Sequence, residues 1–517
     1  VTPQTLSLLT PEIVLVLVAV VIYLAGAFFE ARHLWSWIAV SGVVLAAVVL
    51  AISSPPAGDT GPLEADALAS YFRWLALGAG GLLVMLAARP LDSSGTAEYL
   101  GSLLLVVAGM MLVAAARDLI LMFVGLELVS IPTYILLYLG RRDTASQEAT
   151  TKYFFLSILA SALFLYGLSF LYGAAGATDL RVIHDRLAAS LGPQASGLTL
   201  LAKVALVLIF AGLGFRIAAV PFHFYAPDVY QGTTHENAGL LSVAPKIAGL
   251  AALVRIVALA MAPIETYPWR VALALAMVTM TLGNVVALWQ DNLRRLLAYS
   301  SIANAGYLLI GLAVYLATQP GAAGTWDGLG ALLLFLLVYT VSTIGAFAAL
   351  ACLAKGDKQI ASVEELAGLA WTSGVVRPAL AWLLALFMFS LTGIPPLAGF
   401  WGKLAVFASA LSVGGSDQSV RTWFTALAVI GVLNAAISAG YYLRIVGVMF
   451  FRLPLGTPAV RTDSAGPLFT CVLCALLTLI IGLGPGFWIG DANRASPAAE
   501  KRPAAQPPTA VYYPAMK

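Results

Sequence analysis

Apolar residues in this chain run in blocks about as long as a bilayer is thick. A helix rises 1.5 Å per residue, so about 20 consecutive apolar residues cross a hydrocarbon core of about 30 Å. Blocks of that kind fall near residues 11–29, 35–53, 69–88, 98–116, 118–139 and 151–174. Eight more follow near 198–225, 239–262, 270–290, 295–317, 328–354, 376–410, 421–451 and 466–489. The pattern predicts an all-α polytopic membrane protein with about fourteen transmembrane helices. Two places interrupt it. The 376–410 block is too long for one straight span and contains Gly393, Pro395 and Pro396, so it reads as a broken helix. The stretch 212–250 sets Pro221, Pro227 and Pro245 where long helices would continue. Proline removes an amide donor and clashes with the preceding turn, so a helix carrying it breaks or kinks. Inside a membrane the freed backbone groups are tolerated only where protein or water satisfies them. Ionisable groups beside such breaks are the usual mark of an ion or proton path.

Composition supports the membrane reading and narrows the chemistry. The 517 residues are 61% hydrophobic and 10% charged, where soluble domains carry about 25% charged residues. A net charge of +3 gives no basis for nucleic-acid binding. Cys352 stands alone, and Cys471 and Cys474 share one apolar run with no second pair and no histidine nearby. These cysteines read as packing residues rather than a metal or redox site. The histidines at 33, 184, 223 and 235 include no helix-spaced pair within a span, which argues against haem. No Gly-rich phosphate loop appears either. No Lys or Arg precedes the first block, so it reads as a retained helix rather than a signal peptide.

Cations in the connections suggest an orientation. Connections after odd-numbered blocks hold Arg32, Arg89, Arg141, Arg142, Arg294, Arg295, Lys355, Lys358, Arg377, Arg452 and Arg461. Those after even-numbered blocks hold Arg73, Arg117, Arg181, Arg186, Arg270 and Arg421. The bias places the first group in the cytoplasm and both termini outside. From Asp491 onward the chain is Pro/Ala-rich and reads as a flexible tail.

Four charged residues stand within apolar surroundings: Glu127, Arg216, Lys246 and Lys403. A lone carboxylate or ammonium near the middle of a membrane costs a few kcal/mol unless it is paired. Glu127 reads either as a protonated packing residue or, the reading favoured here, as a relay member paired with a cation. A lysine in such a place can exchange its proton, which a guanidinium does not do. Lys152 and Lys203 lie nearer helix ends, where a lysine can snorkel to the interface; with His223 they form a weaker second tier. Asp228, His235 and Glu236 read as loop residues. Glu127 precedes Arg216 by roughly 90 residues, and Asn304 precedes Lys403 by roughly 100. That spacing suggests a five-helix unit used twice in opposite orientations, the inverted repeat typical of transporters.

The segments GLELVSIPTYILLYL, GFRIAAVPFHFYAPDVYQG, NLRRLLAYSSIANAGYLLIGL and SLTGIPPLAGFWGK strongly resemble the respiratory complex I subunit N family, also called NADH dehydrogenase subunit 2. The resemblance spans roughly the fourth to the thirteenth helix. It implies fourteen helices, an inverted repeat and proton pumping with no cofactor bound in this subunit. NADH, FMN, iron–sulfur clusters and quinone would belong to partner subunits. The partners implied are the antiporter-like and small membrane-arm subunits, within a bilayer that is a bacterial inner membrane. The family's buried glutamate falls on Glu127, its helix-eight lysine on Lys246 and its helix-twelve lysine on Lys403. Its lysine after GLGF falls on Arg216, a usual histidine falls on Asn304, and the Pro-rich turn after YQG is TTHENAG here. Lys203 matches no family lysine.

The expected organisation is three N-terminal helices in 1–96, five-helix units in 97–262 and 263–455, a last helix in 456–490, and the tail 491–517. The expected function is a proton-translocating membrane-arm subunit of NADH:quinone oxidoreductase. A subunit of a multisubunit cation/proton antiporter is the nearest alternative. A structural subunit whose channel Arg216 locks is another.

Overall fold

The computed structural model describes residues 2–29, 31–53, 60–87, 95–141, 143–190, 196–264, 267–318, 327–355, 358–414, 418–454, 459–460 and 465–496. Three helices come first: α1 (Pro3–Gly26), α2 (Arg32–Ile52) and α3 (Ala67–Ala87). Next are α4 (Thr96–Ala115), α5 (Leu119–Gly140), α6 (Thr144–Ala175) and a short amphipathic α7 (Leu180–Ala189). The first interrupted helix is α8 (Ser196–Ile217) with α9 (Ala226–Gly232), and α10 (His235–Leu253) runs on into a π-helical turn, Val254–Ala260. Then come α11 (Tyr267–Ala287), α12 (Leu293–Ala317) and α13 (Gly328–Ala351). The second interrupted helix is α14 (Val376–Thr392) with α15 (Ala398–Leu411). The chain closes with α16 (Gln418–Phe451), α17 (Ala465–Leu483) and α18 (Pro485–Ala495). Strands β1 (Leu353–Lys355), β2 (Lys358–Gln359) and β3 (Ala459–Val460) form a small antiparallel sheet ordered β2-β1-β3.

Among the described residues, 13 helices are long and apolar enough to span, or up to 14 when the bent pair Val363–Trp371 and Val376–Thr392 is counted as one more. α14 and α15, at 17 and 14 residues, make the expected broken span between them. Short polar residues start the helices where the sequence leaves the membrane. Asp118, Asp143, Thr234, Asn292 and Asp327 each accept a backbone N–H at the head of α5, α6, α10, α12 and α13. Such caps satisfy amides that otherwise have no partner within the helix. α10, α12 and α13 are almost wholly buried and form the centre, whereas α1, α2 and α16 turn much of their surface outward. In α10, Pro245 does not end the helix, which passes through it.

Several expectations need correction. Arg73, counted above in a connection, lies in α3 and is buried against Glu12 of α1. Arg270 and Arg421 likewise stand within α11 and α16, and Arg294 and Arg295 within α12. His235 and Glu236 are not loop residues: they open α10 and are buried. Residues 491–495, read as the start of a flexible tail, belong to α18; residues 497–517 lie outside the described residues.

Backbone geometry at the two breaks follows from local sequence. Ala218 turns the chain after α8 with φ 58°, and the freed Val220 amide donates to Thr279 Oγ1 of α11 at 3.0 Å. After α14 the turn is made by Gly393, at φ 96°, where a side chain is strained. Gly399 then passes so close to α14 that a Cβ there would stand 1.6 Å from the Ser390 carbonyl oxygen. Gly399→Ala should therefore force α14 and α15 apart, costing about 1–3 kcal/mol as an overpacked contact. Thermal melting and yield of the purified protein would show it; an unchanged melting point would mean that the break relaxes freely.

Candidate functional site

Two of the buried charges, Arg216 and Lys403, sit where helices are interrupted, and there is a physical reason. The C-terminal end of a helix presents carbonyl oxygens without partners and carries partial negative charge. Arg216 sits in the last turn of α8, 5% exposed. Its Nη2 donates to Glu127 Oε1 at 2.8 Å and to Ser161 Oγ at 3.1 Å. Its Nη1 donates to the Leu126 carbonyl at 3.1 Å and to Ser130 Oγ. Ser161 in turn donates to Glu127 at 2.6 Å. The expected pairing of Glu127 with a cation is thus present, with α5, α6 and α8 all supplying groups.

Lys246 lies on the buried centre helix α10 and is 1% exposed. Its ammonium donates to Ser301 Oγ of α12 at 2.6 Å and stands 5.9 Å from the centre of the Tyr339 ring on α13. Gly249, three residues further along α10, faces the Arg216 Cβ at 3.3 Å from its own absent Cβ. α8 and α10 therefore touch about one turn along α10 from Lys246. Asn304, where the resembling family has a titratable histidine, donates to the Ser300 carbonyl at 2.8 Å within its own helix. Lys403 of α15 reaches back across the second break to the Thr392 carbonyl at 3.0 Å, the last residue of α14. Its ammonium lies 5.1 Å from the centre of the Tyr307 ring. Gly393 leaves the room that the Lys403 side chain crosses, since a Cβ there would be 3.1 Å from its Cδ. Among the described residues neither Lys246 nor Lys403 has a carboxylate partner.

The second tier divides. Lys152 pairs with Glu148 at 2.7 Å and with Asp228 at 3.1 Å, near the start of α6. Asp228, on α9, also accepts from Arg295 at 2.5 Å, so it ties α6, α9 and α12 together rather than standing in an unstructured loop. Burial pushes the Asp228 carboxyl up, but Arg295 and Lys152 outweigh it and hold its pKa below the ordinary carboxylate value. A carboxyl depressed in the folded state lends stability above its unfolded pKa and loses it as pH falls through the folded one. Asp228→Asn should therefore lower stability slightly at neutral pH, the groups being partly exposed, leave it unchanged in acid, and so flatten the acid side of the stability profile. Melting temperature against pH checks this; an unchanged acid limb would contradict it. Lys203 is exposed on α8 and joins none of these groups. His223 is half-buried in the turn between α8 and α9, and its Nδ1 has no hydrogen-bond partner among the described residues.

Two buried ion pairs escaped the sequence reading. Glu12 and Arg73 meet at 2.7 Å with side chains 6% exposed, joining α1 to α3. Arg255, in the π-helical turn after α10, donates to Asp66 at 2.7 Å and to the Ala114 carbonyl at 2.7 Å. Arg117 and Asp179, at 2.8 Å, pin neighbouring connections. A charged residue inside an apolar block was the available signal for Glu12 and Arg73; nothing local marked Asp66 as the partner of Arg255.

A polytopic bundle with two interrupted helices and cations held at the breaks is the architecture of antiporter-like membrane subunits. The family model described as NADH:quinone oxidoreductase/Mrp antiporter, TM, matches residues 116–437, more than half of the chain. NADH-quinone oxidoreductase subunit N of Sphingopyxis alaskensis is 38% identical over 86% of this chain and 89% of its own length. The protein of that name from Erythrobacter litoralis is 37% identical over 96% and 98%. A chain of respiratory complex I from Thermus thermophilus superposes with a TM-score of 0.75 at 32% identity, covering 93% of this chain and 99% of its own. A chain of the Mrp complex from Dietzia superposes with a TM-score of 0.74, but at 21% identity it speaks for the fold alone. The chain belongs to the NADH-quinone oxidoreductase subunit N family.

Proposed function

We propose that this chain is a proton-translocating subunit in the membrane arm of a bacterial NADH:quinone oxidoreductase. The observation that carries the reading is the pair of buried lysines, Lys246 and Lys403, that have no carboxylate partner among the described residues, in the same bundle as the Glu127–Arg216 pair. Protons enter from the cytoplasmic side, pass along the buried groups and leave outside, both termini facing outward. The chain's own part is to hold and move protons at nitrogen and oxygen atoms. Electron transfer through FMN, iron–sulfur clusters and quinone belongs to partner subunits. Glu127 and Arg216 form the input: a carboxylate that moves relative to a cation changes the proton affinity of groups nearby. Lys246 takes the proton and Lys403 releases it. The five-helix units in 97–262 and 263–455, each with one interrupted helix, form the inverted repeat that supports such a path.

Arg216 also supports a second reading. A guanidinium held by four partners cannot release its proton under ordinary conditions, and a fixed charge suits a structural subunit. One experiment separates the readings and tests the leading one. An affinity-tagged copy should pull down an assembly that oxidises NADH with quinone, and vesicles carrying it should acidify on NADH addition. A copy that purifies with cation/proton antiporter subunits and no NADH oxidation would overturn the assignment.

A further inference from the structure

Lys246 and Lys403 lie on different helices, α10 and α15, and α13 packs against both. We infer that the hydroxyl-bearing segment of α13 around Tyr339, Ser342 and Thr343 is the relay that carries protons from Lys246 to Lys403. This rests on the proton-translocating reading above. At the Lys246 end, Tyr339 donates to Ser301 Oγ at 2.9 Å, the same oxygen that receives the Lys246 ammonium at 2.6 Å. At the other end, Ser342 Oγ meets Ser390 Oγ at 2.9 Å. Ser390 is near the end of α14 and accepts from the Gly399 amide at 3.2 Å, one helical turn before Lys403.

Between these ends Thr343 lies one turn beyond Tyr339 on the same face of α13. The Thr340 and Thr343 hydroxyls are buried, 1% and 5% exposed; Thr340 has no hydrogen-bond partner among the described residues, and Thr343 lies close enough to the Tyr339 hydroxyl to interact with it. Buried hydroxyls without a partner are uncommon in a membrane core, because each leaves a desolvated polar group unsatisfied. Hydroxyl side chains at four of the five positions 339–343, all but Val341, have no evident packing purpose that apolar residues would not serve better. The alternative route meets Asn304, whose amide donates to the Ser300 carbonyl at 2.8 Å and to the Tyr442 hydroxyl of α16 at 3.4 Å, and an amide does not exchange a proton as a hydroxyl or imidazole does.

In the transfer each hydroxyl rotates, accepts a proton on oxygen and passes on the one it held. Every hydroxyl ends neutral, Lys246 ends as the amine and Lys403 as the ammonium. No electron moves.

The test uses the assembled complex in proteoliposomes, comparing proton translocation with NADH oxidation. Tyr339→Phe keeps the ring, and the double variant Ser342→Ala, Thr343→Val keeps nearly the same volume. Both should assemble, and proton transfer through this chain should slow by about 100-fold, the lower end of what a positioned proton donor contributes. Ser342→Thr with Thr343→Ser, which retains both hydroxyls, should restore it. Lys246→Ala is the control for the reading beneath. If Lys246→Ala pumps normally, that reading fails. If Lys246→Ala loses pumping while both hydroxyl-deleting variants keep it, the relay is refuted and the function stands. Loss of pumping in the hydroxyl-retaining variant as well would assign α13 to packing and refute the relay too.

Discussion

Replacing Arg216 with alanine should sharply lower the yield of assembled complex, whereas lysine at the same position should preserve assembly and sustain or raise proton transfer. The argument starts from Glu127. Its carboxylate accepts from Arg216 Nη2 at 2.8 Å and from Ser161 at 2.6 Å. Removing one partner of a buried pair leaves the other charge uncompensated and costs about 3–5 kcal/mol. The lower figure applies here, because the Glu127 side chain keeps 22% of its surface exposed while Arg216 keeps 5%. Lysine supplies the same charge with a shorter reach, losing the contacts to Ser130 and the Leu126 carbonyl that the forked guanidinium makes. It gains a proton that can leave. Complex yield and proton transfer for both variants in one background decide the matter. Activity retained with alanine but abolished with lysine would mean that the Glu127–Arg216 contact does not govern the site.

The second large effect is expected at Lys403. Lys403→Ala should abolish proton transfer through this chain while leaving assembly nearly intact. Its ammonium is bonded to the Thr392 carbonyl and lies over the Tyr307 ring, and among the described residues no carboxylate depends on it. Removing it relieves the desolvation of a charge and leaves one carbonyl short of a donor, a modest net change. For the relay the loss is complete, since α15 has no other ionisable side chain. Normal pumping by an assembled Lys403→Ala complex would assign the residue to structure and move the release route elsewhere.

Much of this architecture could be read from the sequence because one physical term dominates it. An unbroken apolar block of about 20 residues has no stable place in water and one in a bilayer, so the spans emerged with their approximate limits. The breaks were legible because proline and glycine act locally, at Pro221 and at Gly393. Glu127, Arg216, Lys246 and Lys403 stood out for the same reason: each is a charge where none is cheap.

What escaped depends on contacts between distant segments. Arg73 pairs with Glu12 across 61 residues of sequence, and no periodicity links them, so a cation inside α3 was counted with the connections. Arg255 meets Asp66 across 189 residues. α7 and α18 were missed because they are short and amphipathic, and the turn residues at 233–236 gave no sign that His235 and Glu236 begin a buried helix. Pro245 misled in the other direction, since α10 passes through it in a fully buried setting. The polar surroundings of the lysines, above all Ser301 and Tyr339 beside Lys246, became visible only once α10, α12 and α13 were packed together.

The central claim is that protons cross the membrane through the buried lysines of this chain. It is tested most directly by counting protons moved per NADH oxidised in proteoliposomes, for the unaltered complex and for one carrying Lys246→Ala. The account predicts fewer protons per NADH in an assembled complex whose NADH oxidation continues when the vesicles are made leaky to protons. An unchanged count, with full assembly, would contradict it.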